Sequence, residues 1–175
     1  MPTFSKTRVY LSLGSNIGER KRNLEAAVSR IKSFVEELKI SAIYETQPLY
    51  FIEQPKFLNI AVSCLTGLTP SALLDRLQAI EKDLGRNRQI EVRMGPRVID
   101  IDILLYGDRI INQPGLTIPH PEINKRRFLL IPLMELDPDL CNPLTNEPFS
   151  SILPTLKDQG VYTFSIWDYT GGPTG

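Results

Sequence analysis

The sequence has few of the residues that several protein classes require. Its 175 residues include two cysteines, Cys64 and Cys141, and one histidine, His120. This content excludes a disulfide framework and a metal site built on cysteine spacing. No apolar run approaches the length of a membrane span, and the first residues lack the apolar stretch of a signal peptide. We expect a cytoplasmic protein, a monomer, with no membrane partner.

The sequence also lacks a surplus of charge. Lysine plus arginine number 20 and aspartate plus glutamate number 20, so the formal net charge is zero. Nucleic-acid binders usually carry a basic excess, and we therefore expect no nucleic-acid partner. Neither the G-x-x-x-x-G-K-[ST] phosphate loop nor the G-x-G-x-x-G fingerprint occurs. Residues 14–18 contain two glycines without the lysine, which favours a simple strand-to-helix turn.

The apolar fraction of 42% and the length of the chain are typical of one globular domain, residues 1–175. We place its core at about 8–137 and expect a disordered tail at 171–175. The order β-α-β-β-α-β predicts an α+β, ferredoxin-like fold: an antiparallel sheet with helices on one face, then a C-terminal hairpin and a helical or loop extension. The predicted elements are strands at 9–13, 40–45, 57–66 and 98–106, a hairpin partner at 109–112, a helix at 18–38 with Asn16 and Glu19 as a capping box, and a helix from Thr69-Pro70 to Gly85.

Two acids on the last core strand are the strongest indication of chemistry. Asp100 and Asp102 point to the same face of a strand, roughly 6.6 Å apart, because side chains alternate with period two. The opposite, core-facing side is predicted to carry Ile99, Ile101, Ile103 and Leu105. Neighbouring ionised carboxylates repel each other, and a bound Mg²⁺ relieves that repulsion. The alternative is a pair of solvated acids beside arginines.

An arginine-rich loop precedes these acids. Residues 85–97 carry four arginines and one acid, Glu91. Arginine's planar fork suits phosphate oxygens, although a loop of this composition is also typical of a solvated surface. Followed directly by the two acids, it predicts a site where acids hold metal and arginines hold phosphates.

Other residues extend this hypothesis. His120 lies between two prolines and has either a structural role or a phosphate contact. Phe57 and Asn59 share the non-core face of their strand, where a ring can stack on a heterocycle and an amide can read its edge; ordinary packing of Phe57 is the alternative. Two competing functions are a nucleotidyltransferase, which would use the same metal, and an RNA-binding module on a ferredoxin-like sheet.

Several short segments follow one another in an order that resembles a known family: Leu13-Gly14-Ser15-Asn16, Glu45-Thr46-x-Pro48-Leu49, Phe57-Leu58-Asn59, the run from Gly85-Arg86-x-Arg88 through Arg93-Met94-Gly95-Pro96-Arg97 to Asp100-Ile101-Asp102, and Pro119-His120-Pro121. Over about residues 8–137 the chain resembles the 6-hydroxymethyl-7,8-dihydropterin pyrophosphokinases of folate biosynthesis. That resemblance implies transfer of the β,γ-pyrophosphoryl group of ATP, as co-substrate, to the pterin hydroxymethyl group with two Mg²⁺ ions.

The resemblance also implies a role for individual residues. It gives catalysis to Arg86, Arg97, Asp100 and Asp102, with the two aspartates as metal ligands. It gives ATP binding to Gln78, Arg86, Arg88, Arg97, Ile103, Thr117, His120 and Arg126. It gives pterin binding to Thr46, Pro48, Leu49, Phe57, Asn59, Asp100 and Phe128, and a closing lid loop to Arg93 and Met94. The chain departs from common family residues at Met94, Gly115 and Pro121.

Overall fold

The computed structural model describes residues 5–49, 53–87, 89 and 95–170. Its strands are β1 (Thr7–Ser15), β2 (Glu36–Ile40), β3 (Ile43–Thr46), β4 (Phe57–Thr66), β5 (Asp100–Tyr106), β6 (Ile111–Gln113), β7 (Leu116–Ile118) and β8 (Val161–Ser165). Its helices are α1 (Arg20–Lys32), α2 (Pro70–Asp83), α3 (Arg127–Leu136) and α4 (Phe149–Ile152), with a 3₁₀ turn at Leu153–Thr155. The predicted disordered tail, 171–175, lies outside the described residues.

Six of these strands form one antiparallel sheet. Its order is β5-β1-β4-β3-β8, and β2 pairs with β4 alongside β3. With α1 and α2 as the two crossover helices, the first five strands give the predicted βαββαβ arrangement, in which β2 and β3 together act as the second strand. The α+β, ferredoxin-like fold class predicted from the sequence is therefore confirmed, and β8 extends the sheet beyond it.

The main core lies between the sheet and the helices α1 and α2. Every second residue of β4 from Leu58 to Cys64 is buried against it, as the alternation predicts. Apolar residues at helical spacing on α1 and α2 pack against these strands, because each helix has one apolar stripe. They are Leu24, Ala27, Val28 and Ile31 of α1 and Leu73, Leu77 and Ile80 of α2.

A second core covers part of the opposite sheet face. It is formed by α3, α4 and the side chains of Tyr10, Leu104 and Leu105. The Tyr10 hydroxyl donates a 2.8 Å hydrogen bond to Asp137, just after α3. Burial and this carboxylate raise the pKa of Tyr10 to about 12. The C-terminal extension thus covers part of the face that the two crossover helices leave open.

The predicted helix at 18–38 is too long. The structure ends α1 at Lys32, and the residues Glu36–Ile40 form β2 instead. Val35 and Leu38 continue the apolar spacing of the helix, but the chain around them pairs with β4 instead. This pairing supplies the backbone hydrogen bonds that a further helical turn would otherwise provide. The predicted strand at 40–45 is likewise divided at Ser41, whose hydroxyl accepts a 2.9 Å hydrogen bond from the Ala61 amide.

The predicted hairpin between 98–106 and 109–112 is wrong. Residues Ile111–Gln113 pair with Leu116–Ile118 in a separate two-stranded sheet, turning at Gly115 with φ +78°. Within β5 the predicted alternation also fails at its end. Leu11 pairs with Ile103 and Tyr10 with Leu105, which leaves Leu104 as the extra residue of a β-bulge and turns Leu105 toward the second core.

Thr69 begins α2 as predicted, with its hydroxyl accepting a 3.2 Å hydrogen bond from the Ala72 amide. We expect Thr69→Ala to lower the free energy of unfolding by about 1 kcal/mol, because an amide at the helix start loses its partner. Urea denaturation followed by circular dichroism measures this change. Thr69→Ser keeps the hydroxyl and serves as the control; equal destabilisation by both variants would contradict a capping role.

Candidate active site

A cavity of about 150 Å³ lies against the sheet face opposite α1 and α2. The predicted residues that line it come from β3 and the residues after it, β4, β5, the arginine loop and the start of α3: Thr46, Pro48, Leu49, Phe57, Asn59, Arg97, Asp100, Asp102, Arg126 and Phe128. All seven residues predicted to bind the pterin are among them. Residues separated by as many as 82 positions in the sequence thus meet at one cavity.

Other predicted residues lie elsewhere. Gln78 and Arg86 border a second cavity of about 610 Å³ at the C-terminal end of α2. Ile103 is buried in the main core, and Thr117 is exposed on β7. Their predicted roles in ATP binding stay predictions. Arg88 and the two lid residues, Arg93 and Met94, lie outside the described residues.

Strand register brings the polar residues of the cavity into rows. β1 lies between β4 and β5, and its Gly14 pairs with Asn59 on one side and Asp100 on the other. Ser12 pairs with Asp102 in the next row on this face. Because side chains at directly paired positions share a face, the amide and the two carboxylates point into the same space. The predicted common face of Asp100 and Asp102 is what the structure shows.

Asn59 is held by two neighbours. Its amide nitrogen donates a 2.6 Å hydrogen bond to the Thr46 hydroxyl, and both side chains are buried. A Cβ on Gly14 would lie 2.6 Å from the Asn59 amide oxygen. Such a contact is too close for any residue other than glycine, so Gly14 leaves room for the amide on the cavity floor.

Asp100 belongs to a buried charge network. Arg86 is 8% exposed, and its guanidinium pairs with Glu81 and, at 2.5 Å, with the Asp100 carboxylate. Glu81 also accepts a 3.3 Å hydrogen bond from the Ile101 amide, in the strand that carries both acids. A buried ion pair of this kind orients its members, since losing one would leave an uncompensated charge. Arg86 therefore orients Asp100, and its predicted contact with phosphate stays a prediction.

His120 lies beside the second acid. Its Nε2 is 3.9 Å from the Asp102 carboxylate, and its Nδ1 accepts a 3.1 Å hydrogen bond from the Glu122 amide. Because Nδ1 accepts, the neutral ring carries its proton on Nε2, toward Asp102. Burial lowers the pKa of His120, against the smaller opposing effects of Asp100 and Glu122.

Asn16 has a role that the sequence analysis did not predict. The predicted capping box is wrong: α1 begins after Glu19, without a side-chain cap. The buried Asn16 side chain instead accepts a 2.7 Å hydrogen bond from the Arg97 amide and donates to Gln54 and to the Pro55 carbonyl, at 2.9 and 3.0 Å. The side-chain amide of asparagine can bond to backbone groups both at a helix start and between loops. The residue type alone therefore does not distinguish a helix cap from a contact between loops.

Of the described residues that line the cavity, five were not predicted for it: Ser12, Gly14, Gln47, Gln54 and Gly95. Ser12 and Gly14 had a detectable signal, since they lie on the non-core face of the first strand. The two glutamines lie in loop segments, where no periodicity indicates which way a side chain points.

Asp100 and Asp102 are suitable ligands for a magnesium ion. Among residues 5–49, 53–87, 89 and 95–170, no group of three or more histidine, cysteine, aspartate and glutamate side chains is placed to hold a metal. Two carboxylates at the wall of an open cavity nonetheless fit Mg²⁺, which keeps waters and takes substrate phosphate oxygens as its other ligands.

The fold is shared with solved structures. The chain superposes on the crystal structure of wild-type Plasmodium falciparum HPPK-DHPS with a TM-score of 0.69, at 16% identity, covering 86% of this chain and 45% of that one. At this identity the likeness is one of fold alone. Within the described part of the chain, none of the helices has the length and apolar content needed to cross a membrane.

Sequence similarity identifies the family. The model of the 7,8-dihydro-6-hydroxymethylpterin-pyrophosphokinase (HPPK) family matches residues 10–138. The 2-amino-4-hydroxy-6-hydroxymethyldihydropteridine pyrophosphokinase of Aquifex aeolicus is 40% identical over 151 residues, 85% of this chain and 93% of the relative. The folic acid synthesis protein fol1 of Schizosaccharomyces pombe is 40% identical over 161 residues, 91% of this chain, which spans only 22% of that relative. The chain belongs to the HPPK family of enzymes.

The lowered pKa of His120 predicts a pH dependence. We expect the free energy of unfolding to fall as pH drops below about 6.5, because the unfolded histidine then binds a proton more readily than the folded one. Above that pH both forms are neutral, and this contribution is constant. Urea denaturation in EDTA between pH 5 and 8 measures the effect, with His120→Gln as the control. NMR of the single histidine should give a midpoint below 6.5; a higher midpoint would contradict the assignment.

Proposed function

We propose that this protein transfers the β,γ-pyrophosphoryl group of ATP to 6-hydroxymethyl-7,8-dihydropterin, in folate biosynthesis. The products are AMP and the pterin diphosphate. The observation that carries the proposal is the composition of the cavity, whose described lining combines two phenylalanines and a buried amide with two acids and two arginines. Membership of the HPPK family supports the same reaction.

The aromatic and amide side chains of the cavity suit a flat heterocycle. Phe57 from β4 and Phe128 from α3 supply ring surfaces for stacking. The buried Asn59 and Thr46 supply polar groups that can pair with the edge of the pterin, and Pro48 and Leu49 complete the apolar wall. Because Asn59 is fixed by Thr46 and by the space at Gly14, its amide is already oriented before a ligand binds.

The acids and arginines of the cavity suit a polyphosphate. Arg97 and Arg126 line the same cavity as the two acids, and their charge would neutralise the phosphate oxygens. Asp100 and Asp102 would hold two Mg²⁺ ions, which when bound supply charge neutralisation across the ATP phosphates. The ion pair with Arg86 holds the Asp100 carboxylate in position. Gln78, Ile103, Thr117 and His120 are our candidates for further contacts with ATP.

The reaction then depends mainly on positioning. The pterin hydroxyl attacks the β-phosphorus in line, the bond to the α-phosphate oxygen breaks, and AMP leaves. Holding the hydroxyl near the phosphorus replaces a bimolecular encounter, and arginines placed around the transferred group stabilise its charge. The sheet face and α3 provide the fixed walls for this geometry. We infer further that the protein works as a cytoplasmic monomer on small molecules alone; the balanced charge supports the lack of a nucleic-acid partner.

The nucleotide product tests the proposed function. The protein is mixed with MgATP, with or without 6-hydroxymethyl-7,8-dihydropterin, and nucleotides are separated by chromatography. We expect AMP only when the pterin is present, and none after chelation of magnesium. Release of inorganic pyrophosphate with a nucleotidylated pterin would indicate nucleotidyl transfer instead. ADP, or no product that depends on the pterin, would rule the proposal out.

Asp102→Asn tests the role of the second acid. We expect kcat to fall by at least about 10³-fold, because an amide is a poor magnesium ligand, while the thermal midpoint changes little at this half-exposed position. Asp108→Asn is the matched control, since that acid is exposed in the turn after β5. Activity of Asp102→Asn close to that of the control would contradict a metal-binding role.

A further inference from the structure

The residues 158–161 connect two walls of the cavity, although they lie well beyond the segment 10–138 that matches the family model. One wall is the start of α3, which supplies Arg126 and Phe128, and the other is the segment after β3, which supplies Gln47 to Leu49. None of the four residues lines the cavity itself.

Gln159 is bonded to the first wall at both ends of its amide group. Its Oε1 accepts a 2.9 Å hydrogen bond from the Arg127 backbone amide, and its Nε2 donates a 3.0 Å hydrogen bond to the Lys125 carbonyl. These two backbone groups flank Arg126, and Arg127 precedes Phe128. A side chain bonded on both sides of Arg126 fixes the backbone from which the two cavity residues project. The bonds lie where α3 has no side-chain cap, so Gln159 satisfies an amide of the helix start that the helix leaves open.

Gly160 and β8 are bonded to the second wall. The Gly160 carbonyl accepts a 3.0 Å hydrogen bond from the Gln47 amide, and the pairing continues as Thr46 with Val161. Gly160 has φ +69°, and a Cβ there would lie 2.4 Å from Cγ of Gln47. Only glycine therefore brings the chain this close to the wall without strain. The Asp158 carboxylate accepts a 2.8 Å hydrogen bond from the Gly160 amide and stabilises the turn.

We propose that residues 158–161 form a bracket that sets the spacing of the two cavity walls, with Gln159 and Gly160 as positioning residues for substrate binding. The inference rests on the proposed function, since it assigns the wall at the start of α3 to both substrates and the wall after β3 to the pterin. The adjacent residues 159 and 160 bond to different walls, so a single peptide joins the anchoring points of the two walls.

The two halves of the bracket predict different kinetic effects. Gln159→Met keeps the length of the side chain but loses both hydrogen bonds to the backbone around Arg126. We expect it to raise KM for both the pterin and ATP about fivefold to twentyfold, with kcat within about twofold. Gly160→Ala displaces the Gln47 wall alone and should raise KM for the pterin about fivefold while leaving KM for ATP unchanged.

The control is Gln113→Met on β6, which removes a 3.0 Å hydrogen bond to the Ser71 hydroxyl of α2; neither residue lines the cavity. We expect wild-type KM values for it. A bracket without influence on the cavity would lower the thermal midpoint of Gln159→Met and leave both KM values at the wild-type level, and that result would overturn the proposal. Equal effects of Gln159→Met and Gly160→Ala on both substrates would overturn the assignment of separate walls.

Hydrogen exchange separates this inference from the proposed function. The Arg127 amide should exchange at least about tenfold faster in Gln159→Met than in wild type, and at the wild-type rate in the control. If the wild-type protein forms no AMP with the pterin, the proposed function fails and the bracket is judged by exchange alone. Unchanged exchange at Arg127 would overturn the bracket, whatever the activity.

Discussion

The register of β1 between β4 and β5 is the constraint on which the site depends. Pairing of Gly14 with both Asn59 and Asp100 places an amide and a carboxylate in one row across three strands. A slip of one residue in either pairing would turn one of these polar groups into the main core and an apolar residue out of it. Burial of alternate residues on β4 and β5 prevents that slip, so the hydrophobic effect that stabilises the fold also aligns the groups of the cavity.

The two cores have different roles: the main core stabilises the fold, and the second core shapes the cavity. Among the described residues, the main core holds more buried side chains than the second core, which covers only part of the other sheet face. The cavity lies beside the second core because α3 packs against the sheet through Leu129, Leu130 and Leu133 and presents Phe128 and Arg126 from its start. Apolar packing in the first two turns thus holds α3 on the sheet, while Gln159 is bonded to the backbone at its start.

Local patterns predicted most of the core and, in the cavity, the two acids, the arginine of the preceding loop, Phe57 and Asn59. The alternation along β4 and the Thr69-Pro70 start of α2 follow rules that involve neighbouring residues, and the structure confirms both. The extent of α1 and the partner of residues 111–113 depend on strand pairing with distant segments, which periodicity does not report. Family resemblance identified all of the residues proposed for the pterin, yet neither it nor periodicity indicated that Arg86 is buried in ion pairs or that Asn16 joins two loops.

The part of the cavity floor that β1 contributes carries the small residues Ser12 and Gly14. Gly14 pairs with Asn59 and Asp100, and Asn59 needs the space that Gly14 leaves. An inhibitor that rests on this floor would contact atoms that substitution cannot remove, since any larger residue at Gly14 collides with Asn59 and would impair the enzyme as well. Resistance to such a compound would therefore have to arise at the rim, in residues such as Gln47 and Leu49, where side chains can change without disturbing the sheet.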